Sequence, residues 1–151
     1  MTTEQQKFQK ASENERQKMM QIFNQFGVTQ YEFTPSVSYD RIDGYYTAST
    51  GTEYVFEVKT RNNAASAYNY NTAIEKSKVE YIQGNTKEIP HQPILFFFYN
   101  DNQAYYQQLD YEKEYDSFRA FAPATTFGDQ TMVLKDFVGF NINKKHLLKL
   151  N

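Results

Sequence analysis

Glu57 and Lys59 lie two residues apart in the run from Thr52 to Arg61, which reads as one β-strand. Alternation puts Tyr54, Phe56 and Val58 on one side and Glu53, Glu57, Lys59 and Arg61 on the other. The first side is core. The second sets a carboxylate beside an ammonium, which alone is either an exposed ion pair of little value or half of a reactive site. Tyr39 to Tyr46 reads as the preceding strand and Ser49-Thr50-Gly51 as the hairpin loop, its last position using the positive φ that glycine tolerates. With Ala48 opposite Thr52, counting back sets Asp43 opposite Glu57 and Asp40 opposite Thr60 on the other face. Facing carboxylates destabilise a sheet unless a cation lies between them, and oxygen donors suit a hard divalent ion such as magnesium. A loop one residue longer would instead bring Asp40 to the Glu57 face. The shorter loop is preferred because it gives Gly51 a conformational role and keeps Ile42 on the side of Phe56 and Val58.

An Asp late in one strand, a hairpin, and Glu-x-Lys in the next strand after a hydrophobic run resembles the PD-(D/E)XK nuclease superfamily, the restriction-endonuclease-like and Holliday-junction-resolvase-like small nucleases. Asp43, Glu57 and Lys59 are the matching residues, and Arg61 follows in Glu-Val-Lys-Thr-Arg. The resemblance spans roughly residues 5 to 100 and departs in one place, where Ile42 stands in the position of the motif's Pro. It implies a metal-dependent endonuclease that hydrolyses DNA phosphodiester bonds, with Mg2+ as cofactor and Mn2+ as a substitute. Asp43, Glu57 and the Val58 backbone carbonyl would hold the metal, and Lys59 would position the attacking water. Glu15, Glu75, Lys78 and Arg61 are its auxiliary candidates, because related nucleases draw polar groups from the helices that flank this hairpin.

These residues need elements to position them. Phe8, Ala11, Met19, Ile22 and Phe26 recur at helical spacing, so residues 4 to 26 read as an amphipathic helix stopped by Gly27, with Glu15 on its apolar stripe. Val28 to Phe33 reads as a short strand ended by Thr34-Pro35. After the hairpin, residues 61 to 66 form a polar loop. A second helix is expected from Asn71 or Thr72 to near Gly84, with Tyr70, Ile74, Ser77 and Tyr81 along one face and Lys78 at its border. Pro93 to Tyr99 is a continuous apolar run, the mark of a central strand covered on both faces, and Asn100-Asp101-Asn102 turns it into an antiparallel partner from Gln103 to Leu109. Residues 110 to 129 read as mostly irregular, Gln130 to Phe140 as a strand, and Asn143 to Leu150 as a short basic helix or strand. The expected fold is α/β (α+β): a restriction-endonuclease-like αβββαβ core, its mixed central sheet flanked by helices, plus a β-rich C-terminal extension.

With 151 residues the chain reads as a single domain, its core rich in aromatics because 13 Tyr and 13 Phe accompany no Trp and no Cys. The absence of Cys, a polar start and the lack of any long apolar run predict a soluble cytoplasmic protein with no membrane partner. A net charge of −2 excludes a protein that coats nucleic acid by charge alone, yet Arg61, Lys76, Lys144 and Lys145 remain local candidates for DNA contact. His91 and His146, far apart and without Cys, assemble neither a zinc site nor a Cys–His nucleophile, and the 6 scattered glycines form no phosphate loop. Tyr68, Tyr70, Tyr105 and Tyr106 fit either base stacking or burial. The rivals to a nuclease are a catalytically inactive nuclease-fold subunit for DNA binding or assembly, and a Tyr-rich protein-interaction module. A homodimer would let so small a domain contact both strands.

Overall fold

The aromatic-rich sequence builds two β-sheets and two α-helices, seen in a computed structural model that describes residues 2–34, 42–86, 91–124 and 128–151. The first helix, α1 (Thr3–Phe26), begins with a capping box in which the Thr2 side chain accepts from the Gln5 N–H and Gln5 answers the Thr2 N–H. It ends where Gly27 takes φ 69, as the glycine stop requires. Strands β1 (Gln30–Phe33), β2 (Gly44–Thr47) and β3 (Glu53–Thr60) follow as an antiparallel meander. After β4 (Asn71–Glu75) and α2 (Lys76–Thr86), strand β5 (Gln92–Phe98) returns parallel to β3, a junction that needs a long crossover. β6 (Gln103–Gln108), β7 (Ser117–Pro123), β8 (Met132–Asn141) and β9 (Leu147–Lys149) complete the chain. The main sheet is mixed, in the order β1-β2-β3-β5-β6-β9, and β4-β8-β7 make a second, antiparallel sheet.

Both faces of the main sheet are covered. Met19, Ile22 and Phe23 of α1 pack with Tyr46, Phe56, Val58 and Phe96 on one face. On the other, Val55, Leu95, Phe97 and Tyr105 meet Val79 and Ile82 of α2 and Ile74, Val138 and Phe140 of the second sheet. Glu57 and Lys59 therefore point into a covered layer between sheet and helix instead of into solvent, and Glu57 is only 5% exposed. Burial makes their ionisation costly, which an exposed strand face would not.

The hairpin has the expected register. Ala48 donates to the Thr52 carbonyl at 2.8 Å, Gly51 has φ 93, and Tyr45 faces Val55 and Tyr46 faces Tyr54. Ile42 nevertheless joins the α2 side with Val55 and Leu95, not the side of Phe56, because β2 begins only at Gly44 and strand alternation does not extend back past its first residue. Asp40, the rival acid, lies outside the described residues.

Two other expectations fail where β8 supplies a partner. Residues 71–75 are a strand, since Thr72 and Ile74 alternate into the core with period two, and α2 starts only at Lys76. Ser117–Pro123 is also a strand, paired along its length with β8. The C-terminal stretch is both things foreseen, a 3-10 turn at Lys144–His146 and then β9 on β6.

Gly44 is required by contact. A Cβ there would stand 2.3 Å from the Glu32 carbonyl oxygen on β1 and 2.7 Å from the Phe56 ring. Gly44→Ala is therefore expected to cost about 1–3 kcal/mol in urea unfolding, as overpacking does, with β1 displaced; an unchanged midpoint would show that β1 yields freely.

Candidate functional site

Asp43 stands immediately before β2, clasped on every side. Its N–H donates to Phe56 O at 2.9 Å, and its carbonyl accepts from the Thr34 N–H at 3.0 Å and the Thr34 hydroxyl at 3.2 Å. Its side chain reaches across to β3, where the Val58 N–H donates to Oδ2 at 2.6 Å. The Asp43 and Glu57 carboxyls stand close enough for each to bear on the other's ionisation, an arrangement that favours a proton or a cation between them. Burial pushes both upward in pKa, Glu57 well above the ordinary range because the Asp43 carboxyl adds to the effect of burial.

Cations ring this pair. Lys78 Nζ of α2 stands 3.7 Å from Glu57 Oε1. Burial, with the Lys78 ammonium alongside, pulls Lys59 down to about 8. On the α1 side, Glu15 Oε2 accepts from the Thr60 hydroxyl at 2.8 Å, and burial raises its pKa within the field of Asp43 and Lys59. Glu75 binds Lys135 at 3.1 Å. Burial would raise the Glu75 carboxyl, but Lys135, with Lys78 and Lys59 farther off, holds it below the ordinary value.

The structure thus gathers Asp43, Glu57, Lys59 and Lys78, with Glu15 and Glu75 at the flanks. Arg61 is held inside: its guanidinium donates to the Ala73 carbonyl and lies 5.8 Å above the Phe97 ring. Lys76 is half-buried at the start of α2, whereas Lys144 and Lys145 are exposed near the C-terminal turn, with Lys144 4.6 Å above the Tyr70 ring. Sequence reasoning missed Lys135. It stands 60 residues from Glu75, with only the odd-numbered face of β8 to suggest the meeting.

The donor set for a metal is small. Among the described residues no group of three or more Asp, Glu, His or Cys side chains converges on a point. Two carboxylates suit an ion that keeps most of its water, as magnesium does. The Val58 carbonyl shares its N–H's edge of β3, next to Asp43 and beyond the end of β2. No described helix is long and apolar enough to cross a membrane. Comparison with protein-family models, curated proteins and solved structures gives no match.

The raised carboxyls fix a pH dependence. Across the interval from the ordinary carboxylate range to their raised values the folded chain holds protons that the unfolded chain has released, so metal-free stability falls as pH rises there. Lys59 acts at higher pH: between about 8 and 10.5 the unfolded chain holds the extra proton, and its contribution recovers as pH rises. Glu57→Gln, which keeps the volume and removes the charge, should melt above the parent at pH 7.5 in EDTA, with the gap closing as pH falls through the carboxylate range. Equal melting temperatures at every pH would show that the pair carries no buried-charge penalty.

Proposed function

We propose that the chain is a metal-dependent nuclease of the PD-(D/E)XK type, which hydrolyses DNA phosphodiester bonds with Mg2+, or Mn2+ in its place. The observation that carries this reading is the buried, interacting Asp43–Glu57 pair, Asp43 held by the Val58 N–H, with Lys59 two residues beyond Glu57 on the same face of β3. The order α1, β1-β2-β3, α2, β5 supports the αβββαβ core, with β4 as an insertion ahead of the second helix.

Asp43 and Glu57 would hold the ion, joined by the Val58 carbonyl. A bound divalent ion supplies a polarised phosphate and a more acidic water. The chain's own residues do the rest. Val58 N–H fixes the Asp43 carboxylate so that it need not reorganise when charge arrives. Lys59, with its pKa near 8, is poised to orient the water and to offset negative charge on the pentacoordinate phosphorus. Burial, reinforced by Lys78, keeps that pKa low, and Lys78 replaces part of the lost solvation of Glu57. Glu15 anchors Thr60 at the end of the same strand.

A second reading, a protein-interaction or assembly subunit on this fold, is favoured by the exposed Phe121, Met132 and Leu134 at the far end of the β7–β8 hairpin. Plasmid and branched-DNA cleavage in Mg2+ or Mn2+, with EDTA as control, separates the two. Wild type should cut. Glu57→Gln should be inactive with its fold intact, and Lys59→Arg should lose roughly a hundredfold in rate, since a planar guanidinium cannot take the place of a compact ammonium beside water. Cleavage by Glu57→Gln at the parental rate would remove the metal-ligand role, and no cleavage by wild type on any substrate would leave the interaction reading.

A further inference from the structure

Glu57 and Lys59 share one side of β3, and Arg61, just past its end, turns to the same side over the Phe97 ring, so at about 3.3 Å per residue the backbone at Arg61 is roughly 13 Å from that at Glu57. At Arg61 the surface opens into a groove of about 840 Å3, inside the range of roughly 300–1,000 Å3 typical of ligand sites. Its floor is one face of the second sheet, where Ala73 pairs with Gly139 and Phe118 with Phe137.

That floor is a prepared flat surface. Phe118 and Phe137 stack with ring centroids 5.9 Å apart and planes 24° apart. Phe118 lies over Gly139, where a Cβ would stand 3.3 Å from its ring, so the missing side chain lets the ring lie down. Phe118 is still 48% exposed, an apolar plane turned to solvent. Across the groove, Tyr68, Asn69 and Tyr70 take φ of 53, 55 and 57, a left-handed run that bulky residues adopt only when held there. It is held: Asn71 Nδ2 donates to the Tyr68 carbonyl at 2.9 Å, and the Ile142 N–H donates to the Tyr70 carbonyl at 2.8 Å. The result sets Tyr68, 77% exposed, at the groove wall.

We propose that this groove receives an unpaired nucleobase of the bound strand, stacked on Phe118 and walled by Tyr68, so that the protein selects nucleic acid with single-stranded character near the cut. The inference rests on the nuclease reading for its ligand class. The lining decides the occupant. Two aromatic side chains share the lining with Asn63, Asn71 and Asn141; the Asn63 and Asn71 amides donate to the Ala64 and Tyr68 carbonyls, so their carbonyl oxygens, with the Asn141 carboxamide, are the groups that match a base edge. Arg61, the cation in the lining, is bound to Ala73 and its ring partner, so the groove suits a flat, neutral, hydrogen-bonding group better than a phosphate. Lys144 above Tyr70, close to the wall, is placed for the phosphate of such a nucleotide. Bases inside a duplex are stacked on one another and cannot enter unless extruded.

The test uses the full chain in EDTA, where nothing is cut, with oligonucleotides carrying 2-aminopurine in single-stranded, flapped and fully paired form. Wild type should bind the single-stranded and flapped probes more tightly than the duplex and change the 2-aminopurine fluorescence on binding. Phe118→Ala should weaken single-strand binding roughly tenfold and abolish the fluorescence change. Gly139→Ala, which lifts the ring without removing it, should do the same in part. If Phe118→Ala does not fold by circular dichroism, Phe118→Leu takes its place. Variants that bind and respond like wild type, or a wild type that prefers the duplex, would overturn the proposal even if plasmid cleavage succeeds. A fluorescence response with no cleavage of any substrate would support the groove and remove the nuclease reading instead.

Discussion

Two buried carboxyl groups, Asp43 and Glu57, press on each other's ionisation in a layer from which water is largely excluded, and the surrounding structure is arranged to keep them there. The 2.6 Å bond from the Val58 N–H to Asp43 holds one acid just ahead of the start of β2, alongside the continuing β3. Left to themselves the two would ionise in water and repel. In the fold they are confined by Thr34, which grips the Asp43 carbonyl, and by Arg16 of α1, which donates to the Thr34 carbonyl and lies over Phe33. Helix, first strand and acid are thereby linked in one chain of contacts. Such an arrangement stores unfavourable electrostatics that a cation would relieve.

The two-sided cover of the main sheet explains why the acids are buried at all. α1 seals the face of Phe56 and Val58, and α2 with the second sheet seals the face of Val55 and Leu95. A strand exposed on one side would leave Glu57 and Lys59 solvated, with ordinary acid strengths. Here the covering layer brings its own cations: Lys78 from α2 and Lys135 from β8 approach from above, so compensation for charge comes from elements distant in sequence.

Much of this was readable from local pattern. The hairpin register follows from Gly51 and from alternation, α1 from its apolar spacing and the Gly27 stop, and β5 from an apolar run with no polar face. What could not be read depended on tertiary pairing. Ile74 falls at helical spacing with Tyr70, Ser77 and Tyr81 and at strand alternation with Thr72, and pairing with β8 decides between them. β7 is rich in Phe and Ala yet ends in Pro123, and its pairing with β8 overrides weak propensity. Ile42 changed sides because alternation is a property of strands and β2 stops short of it. Lys135 and the aromatic floor of the groove belong to the second sheet, which local pattern did not reveal as a separate layer.

The edge of the main sheet has a kinetic consequence. β9 pairs with β6, Leu150 is buried with the α1 cluster, and Gln25 and Gln21 at the end of α1 bond to Lys149 and Asn151 across 124 and 130 residues of sequence. Contacts of such long range delay folding, because the loop must close before the reward arrives. The apolar side of α1 therefore gains partners from residues more than a hundred positions downstream, and during synthesis the helix stays incompletely covered until those residues leave the ribosome.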